Sequence, residues 1–161
     1  MKILVLGSHG MLGNEFMDIL QHQSYEIHGV DKEDLDVRRA EKVRNYIQNQ
    51  APDVVINTTG YTDVDGAEQN TEEAYALNAY APKYIAEASR DVDATLIHFS
   101  TDFVFNGQDA SGYTEEQEPQ QSVNTYGASK RRGEEYVMET DPFYYLIRTS
   151  WLFGKHGRNF V

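Results

Sequence analysis

Apolar residues follow two alternating spacings along the chain. The continuous runs Ile3-Leu4-Val5-Leu6, Val54-Val55-Ile56-Asn57 and Thr95-Leu96-Ile97-His98-Phe99 have no regular wet positions. They predict strands of a parallel sheet covered on both faces. Tyr25 to Val30 and Tyr144-Tyr145-Leu146-Ile147 predict two more. Between the runs, apolar residues recur three and four apart, which predicts helices over Asn14 to Gln21, Ala40 to Gln50, Thr71 to Arg90 and Val123 to Met138. In the second of these, Val43, Tyr46 and Ile47 share one face. Thr71 is expected as an N-cap, with Glu72 and Glu73 in the first turn. Pro82 must kink that helix or split it in two. Pro52-Asp53 and Asp141-Pro142 break the chain out of helix. Leu35-Asp36-Val37 predicts a brief edge strand, and Phe103 to Gln121 reads as a loop.

Strands and helices therefore alternate from end to end. That order predicts an α/β fold, a Rossmann-type doubly wound parallel sheet with helices on both faces and right-handed crossovers. The junction after the first strand carries Gly7-Ser8-His9-Gly10-Met11-Leu12-Gly13. A strand, three spaced glycines and a helix start form the entry of a dinucleotide-binding unit. Gly7 lets the strand turn, Gly10 lets backbone approach a pyrophosphate, and Gly13 lets the helix pack closely. The first N–H groups of the helix then face the phosphates. Asp31 ends the second strand, 24 positions after Gly7. It reads either as the acceptor for an adenosine ribose, which would repel a 2′-phosphate, or as a cap or loop acid. Lys32, Arg38 and Arg39 leave the choice between NADH and NADPH open. Thr58 to Thr62 follows the third strand at its carboxyl end, where open α/β sheets bind ligands.

The chain has 161 residues, 40% hydrophobic and 12% aromatic, enough for one domain with its own core. It has no cysteine, hence neither disulfides nor thiolate chemistry. A formal net charge of −12 argues against a nucleic-acid partner. No leader pattern and no span-length apolar run appear, so the expected location is cytoplasmic and no membrane partner is expected. The last residues, Asn159-Phe160-Val161, are apolar where a boundary is normally polar, which predicts that something C-terminal is absent.

Tyr126 and Lys130 are four apart on a predicted helix and share a face. A nearby ammonium would lower the phenol from its ordinary value of about 10 and ready it for proton transfer. Thr101, with Ser100 beside it, ends the preceding strand and offers a hydroxyl to a developing alkoxide. His9 reads as an exposed loop residue and His98 as a packed core histidine. Trp151 is either a sugar-stacking platform or a core residue at a strand end. Tyr75, Tyr80 and Tyr84 would pack on the sheet or on a second subunit. The five histidines are scattered, so no metal site is expected.

Taken together, the glycine loop, Ser100-Thr101-Asp102-Phe103-Val104-Phe105, Tyr126 to Lys130 and Arg148-Thr149-Ser150-Trp151 resemble the extended short-chain dehydrogenase/reductases. Within them the chain is most similar to the dTDP-4-dehydrorhamnose reductase family, in which Asn57 to Glu68 also has a counterpart. The resemblance spans Met1 to Val161 and implies one NAD(P)-binding Rossmann domain, residues 1–161, with the family's C-terminal substrate domain apparently absent. It implies an NAD(P)H-dependent oxidoreductase, using NADPH or NADH, that reduces the 4-keto group of dTDP-4-dehydro-L-rhamnose to dTDP-L-rhamnose.

By position, Gly7, Gly10, Met11, Leu12 and Gly13 would hold the pyrophosphate, Asp31 the adenosine ribose, and Asp36 and Val37 the adenine. Gly60, Tyr61 and Thr62 would line the middle of the cofactor. Tyr126 would donate the proton, Lys130 would grip the nicotinamide ribose and tune Tyr126, and Thr101 would complete the triad. Thr101, Asp102 and Trp151 would touch the nucleotide sugar. A homodimer is a further expectation. Thr58, Thr59 and Gly60 replace the family's usual small alanines, and Phe103 stands where a tyrosine is common. Two alternatives remain: an epimerase or dehydratase of a nucleotide sugar, and a regulatory cofactor-binding module that resembles the β subunit of methionine adenosyltransferase.

Overall fold

A computed structural model describes residues 1–119, 121–140 and 143–157. Its elements in chain order are β1 (Lys2–Leu6), α1 (Met11–Leu20), β2 (Glu26–Val30), α2 (Ala40–Gln50), β3 (Val54–Asn57), α3 (Thr71–Tyr75), α4 (Ala81–Arg90), β4 (Thr95–Thr101), α5 (Thr125–Thr140) and β5 (Tyr144–Thr149). The five strands form one parallel sheet in the order β2-β1-β3-β4-β5. Register is pinned by the buried runs: Leu4 lies opposite Val55, Val55 opposite Leu96, and Leu96 opposite Tyr144.

Leu4, Leu6, Val55 and Leu96 point to one face of the sheet. There they meet Val43 and Ile47 of α2, Ile85 and Ala88 of α4, and Val137 of α5, all fully buried. The opposite face carries Ile3, Val5 and Ile56, covered by Phe16, Met17 and Leu20 of α1. Continuous apolar strands thus have helices on both sides, as a parallel sheet requires. Because α1 is the cover on that second face, Tyr145 and Ile147 of β5 remain exposed.

The capping position of the long helix falls to Asn70, and Thr71 opens the helix. The helix does split. Proline has no N–H to give the Asn78 carbonyl, its partner four residues back. A π turn, Ala76–Tyr80, absorbs the break, and Ala81 donates to the Ala76 carbonyl instead. α5 uses the same place. A Cβ on Gly133 would collide with the Asn78 carbonyl oxygen, so glycine is what lets α5 press onto the turn. Tyr84 packs against the main core, while Tyr80 meets the Tyr136 ring at a tilt, with centroids 6.1 Å apart.

Leu35-Asp36-Val37 is not a strand. Leu35 and Val37 are buried, but their segment is a succession of turns in which Leu35 N–H donates to the Asp31 carbonyl and Arg39 N–H to that of Asp36. α5 starts at Thr125, two residues later than its apolar spacing predicts, because Asn124 takes the capping position and its Oδ1 accepts from Gly127 N–H at 2.7 Å. The break expected at Asp141-Pro142 lies outside the described residues. No helix among the described residues is long and apolar enough to cross a membrane.

Candidate functional site

The strand order reverses between β1 and β3, the place where a doubly wound sheet opens a crevice. A cleft of ≈730 Å³ lies there. Its floor is Gly7 and Gly10 from the turn after β1; one wall is Val30 to Arg38 after β2; the other is Thr58 to Gly60 after β3, with Glu73 and Leu77 above. The turn is built for this place. Gly7 has φ +82°, and its N–H and that of Ser8 donate to the Val30 carbonyl at 2.8 and 3.1 Å. A Cβ on Gly13 would strike the Gly7 carbonyl oxygen, so this glycine seats α1 on the turn rather than lining the cleft. The Thr58 hydroxyl donates to the Leu6 and Gly7 carbonyls at 2.8 and 3.1 Å. Threonine in place of alanine thereby ties β3 to the glycine turn.

Asp31 sits at the end of β2 and accepts from His9 N–H at 2.9 Å and from Lys32 N–H at 2.7 Å. It holds the glycine loop and still faces the cleft. The Asp36 carboxyl lies below its ordinary range, chiefly because Arg38 donates to it. Of the residues assigned to the cofactor by position, Gly7, Gly10, Asp31, Asp36, Val37 and Gly60 line this cleft. Met11, Leu12, Gly13, Tyr61, Thr62, Tyr126 and Lys130 lie outside it. Met11 is approached by Gly154 and Gly157 of the segment after β5. That segment returns along α1 through Lys155 N–H on Glu15 and His156 on Asp18. Tyr61 is clasped through its backbone by the buried Asn78 amide.

His9 and Glu33 also reach Asp31, their ligand atoms all lying within 4.8 Å of one another. This grouping depends on the loop after β2, and histidine spacing along the chain does not show it. Sequence reading also missed Glu73 and Leu77. The only signal for Glu73 was its place in the first turn of a helix.

The second half of the site lies at the carboxyl end of β4, the strand next to β3. Thr101 Oγ1 accepts from Phe103 N–H at 3.2 Å and donates to Asp102 Oδ1 at 3.1 Å. The other Asp102 oxygen takes the Ser150 hydroxyl at 2.8 Å, which links this turn to the end of β5. Tyr126 projects from the start of α5, its ring edge-on to Phe103 with centroids 5.8 Å apart. Burial pushes the Tyr126 phenol above its ordinary value; a hydrogen bond with Thr101 opposes this, and Asp102 adds to it. That reverses the lowering expected from Lys130. Burial outweighs any such lowering, and the Lys130 ammonium is directed to the Phe99 carbonyl at 2.6 Å. Trp151, beyond β5, is 77% exposed with φ +53°. An exposed side chain excludes the core reading of this residue. His98 is fully buried, and burial drives it well below its ordinary value. Asn57 Oδ1 is occupied by the N–H and hydroxyl of Thr59, so its amide nitrogen faces His98 Nδ1, at 3.1 Å. The proton of the neutral ring is therefore on Nε2.

Burial holds Lys130 down to about 8, with Glu134 opposing. The unfolded chain titrates near 10.5, so it binds the extra proton between these values. Lys130 accordingly favours folding above pH 10.5, and that contribution is lost as pH falls through 8. Lys130→Met should flatten a rise in stability of up to about 1.4 kcal/mol per pH unit across this window. Denaturant midpoints of the two proteins from pH 7.5 to 10.5 test it, and parallel profiles would contradict it.

The chain matches the family model for the RmlD substrate binding domain over residues 1–161. It is 37% identical to spore coat polysaccharide biosynthesis protein SpsK of Bacillus subtilis, covering 99% of this chain and 56% of that protein. It is 35% identical to dTDP-4-dehydrorhamnose reductase of Aggregatibacter actinomycetemcomitans, covering 99% and 54%. The crystal structure of dTDP-4-dehydrorhamnose reductase from Bacillus anthracis in complex with NADP superposes with a TM-score of 0.95 at 39% identity, covering 99% of this chain and 56% of that one. The chain thus spans about half the length of the curated relatives it matches.

Proposed function

Because the chain belongs to the RmlD substrate binding domain family, we propose that it is the cofactor-binding half of an NAD(P)H-dependent reductase. The reaction is reduction of the 4-keto group of dTDP-4-dehydro-L-rhamnose to dTDP-L-rhamnose, and the remainder of the substrate pocket belongs to a further domain. The observation that carries this reading is the hydrogen-bonded pair of the Thr101 hydroxyl and the Tyr126 phenol, one strand away from the glycine-floored cleft.

The cleft fits a dinucleotide: a glycine turn, the N-terminus of α1 and a carboxylate at the end of β2 meet in one crevice. When bound, the reduced nicotinamide supplies the hydride. The protein's part is to orient and to protonate. Tyr126 aims its hydroxyl at the keto oxygen, where charge develops, and Thr101, whose own proton goes to Asp102, fixes that phenol in place. Tyr126 then gives its proton to that oxygen. Lys130, held on the strand end through Phe99, lies one helical turn from Tyr126, and its remaining N–H groups would grip the nicotinamide ribose. Asp102, tied to Ser150, and the exposed Trp151 offer polar and stacking contacts to the nucleotide sugar.

Calorimetric titration of the chain with NADH and NADPH tests the first step. Micromolar binding is expected. Gly10→Asp, which sets a carboxylate where a pyrophosphate must lie, should weaken it at least tenfold, about 1.4 kcal/mol. A folded chain that binds neither nucleotide would refute the reading.

A further inference from the structure

One wall of the cleft contains a closed set of ion pairs that dinucleotide binding as such does not need. Arg38 donates through Nε and Nη2 to the two oxygens of Asp36, at 2.8 and 3.2 Å, and through Nη1 to Glu73 at 3.0 Å. Each of its nitrogens is engaged. Arg39 adds a second cation to Asp36, at 3.7 Å. Glu73 lies 35 residues beyond Arg38, in the first turn of α3, so the triad joins the opposite walls of the cleft. Four carboxylates line this crevice, those of Asp31, Glu33, Asp36 and Glu73, against the cations of Lys32 and Arg38.

We propose that the Asp36–Arg38–Glu73 triad makes the adenosine end of the cleft a 2′-hydroxyl site, so that the chain takes NADH over NADPH, with Glu73 setting the margin. The inference rests on the reading of the cleft as a dinucleotide site. A 2′-phosphate brings a further charge of about −1.5 to −2 into a crevice with more carboxylates than cations. Three of the five Arg38 N–H groups are already given to Asp36 and Glu73, so a 2′-phosphate must compete with these carboxylates for the cation. A 2′-hydroxyl needs only an acceptor, and Asp31 offers one: its two oxygens each hold one backbone N–H and keep further lone-pair capacity. The discrimination is repulsive, built against the wrong ligand rather than for the right one. Among the described residues Glu73 pairs with Arg38 alone and takes no part in the glycine turn, so it can be altered without touching the phosphate cradle.

The test is calorimetric titration of the chain and of Glu73→Gln with NADH and NADPH, with 5′-AMP and 2′,5′-ADP as probes of the adenosine end alone. NADH should bind at least tenfold more tightly than NADPH, and 5′-AMP more tightly than 2′,5′-ADP. In Glu73→Gln the loss of one negative charge beside Arg38 should raise NADPH affinity at least fivefold and move NADH affinity less than twofold. Equal or tighter binding of NADPH by the unaltered chain, or an equal shift of both nucleotides in Glu73→Gln, overturns the inference and leaves the cofactor site standing. Binding of neither nucleotide to the folded chain overturns both.

Discussion

In the proposed keto-sugar reduction, a Tyr126→Phe variant is expected to lose about 10²- to 10⁴-fold in kcat, the contribution of one positioned proton donor. The phenol is half-buried, and burial raises it above its ordinary value, so at neutral pH it carries the proton that the product alcohol must receive. Phenylalanine keeps the ring and its edge-on contact with Phe103. Stability should therefore change little, and KM should change far less than kcat. The pH profile adds a second readout. With Lys130 near 8, the rate should fall as pH rises through that value, well before Tyr126 itself gives up its proton. Oxidation of the reduced cofactor, followed by absorbance against pH in the two proteins, measures both effects. Unchanged turnover in Tyr126→Phe would show that the proton comes from another group.

The fold was legible where burial alone decides structure. Val54–Asn57 and Ala40–Gln50 were read to the residue because an unbroken apolar run and a strict three-and-four spacing leave no other element to form. Leu35 and Val37 show the limit of such reasoning. Two apolar residues flanking an acid look like an alternating strand, yet here both plug the core from a chain of turns. Alternation reports which side chains are buried; it does not report whether a neighbouring strand is present to bond. The site divides along the same line. The glycine turn, Asp31, Thr101 and the Tyr126–Lys130 helix are local patterns and could be read. The destination of the Lys130 ammonium, the Phe99 carbonyl 31 residues away, and the partner of Arg38, 35 residues away, are set by how elements pack. The expectation that Lys130 lowers Tyr126 failed for this reason: spacing places two side chains on one face, but long-range partners decide where their charges go.

Arg148→Ala is expected to destabilise the fold by about 3–5 kcal/mol, the cost of leaving one member of a buried ion pair without its partner. Glu134 is fully buried in α5, and Arg148 of β5 grips both its oxygens, Nε at 3.0 Å and Nη2 at 2.8 Å, while its guanidinium lies 5.0 Å from the centre of the Phe105 ring. Truncation strands the Glu134 carboxylate away from water, with Lys130 one turn back as the cation that still feels it. It also removes packing from Phe105. The effect should reach the site, because β5 continues to Ser150, which holds Asp102 beside Thr101. A double change separates charge from shape. Replacing Glu134 by Leu together with Arg148 by Met removes both charges at similar volume, and it should recover most of the lost stability, since buried pairs exchanged for apolar groups are often neutral or better. Urea unfolding of Glu134→Leu, Arg148→Met and the double variant gives the coupling directly. A double variant no more stable than Arg148→Ala would mean that Arg148 acts through packing on Phe105 rather than through Glu134.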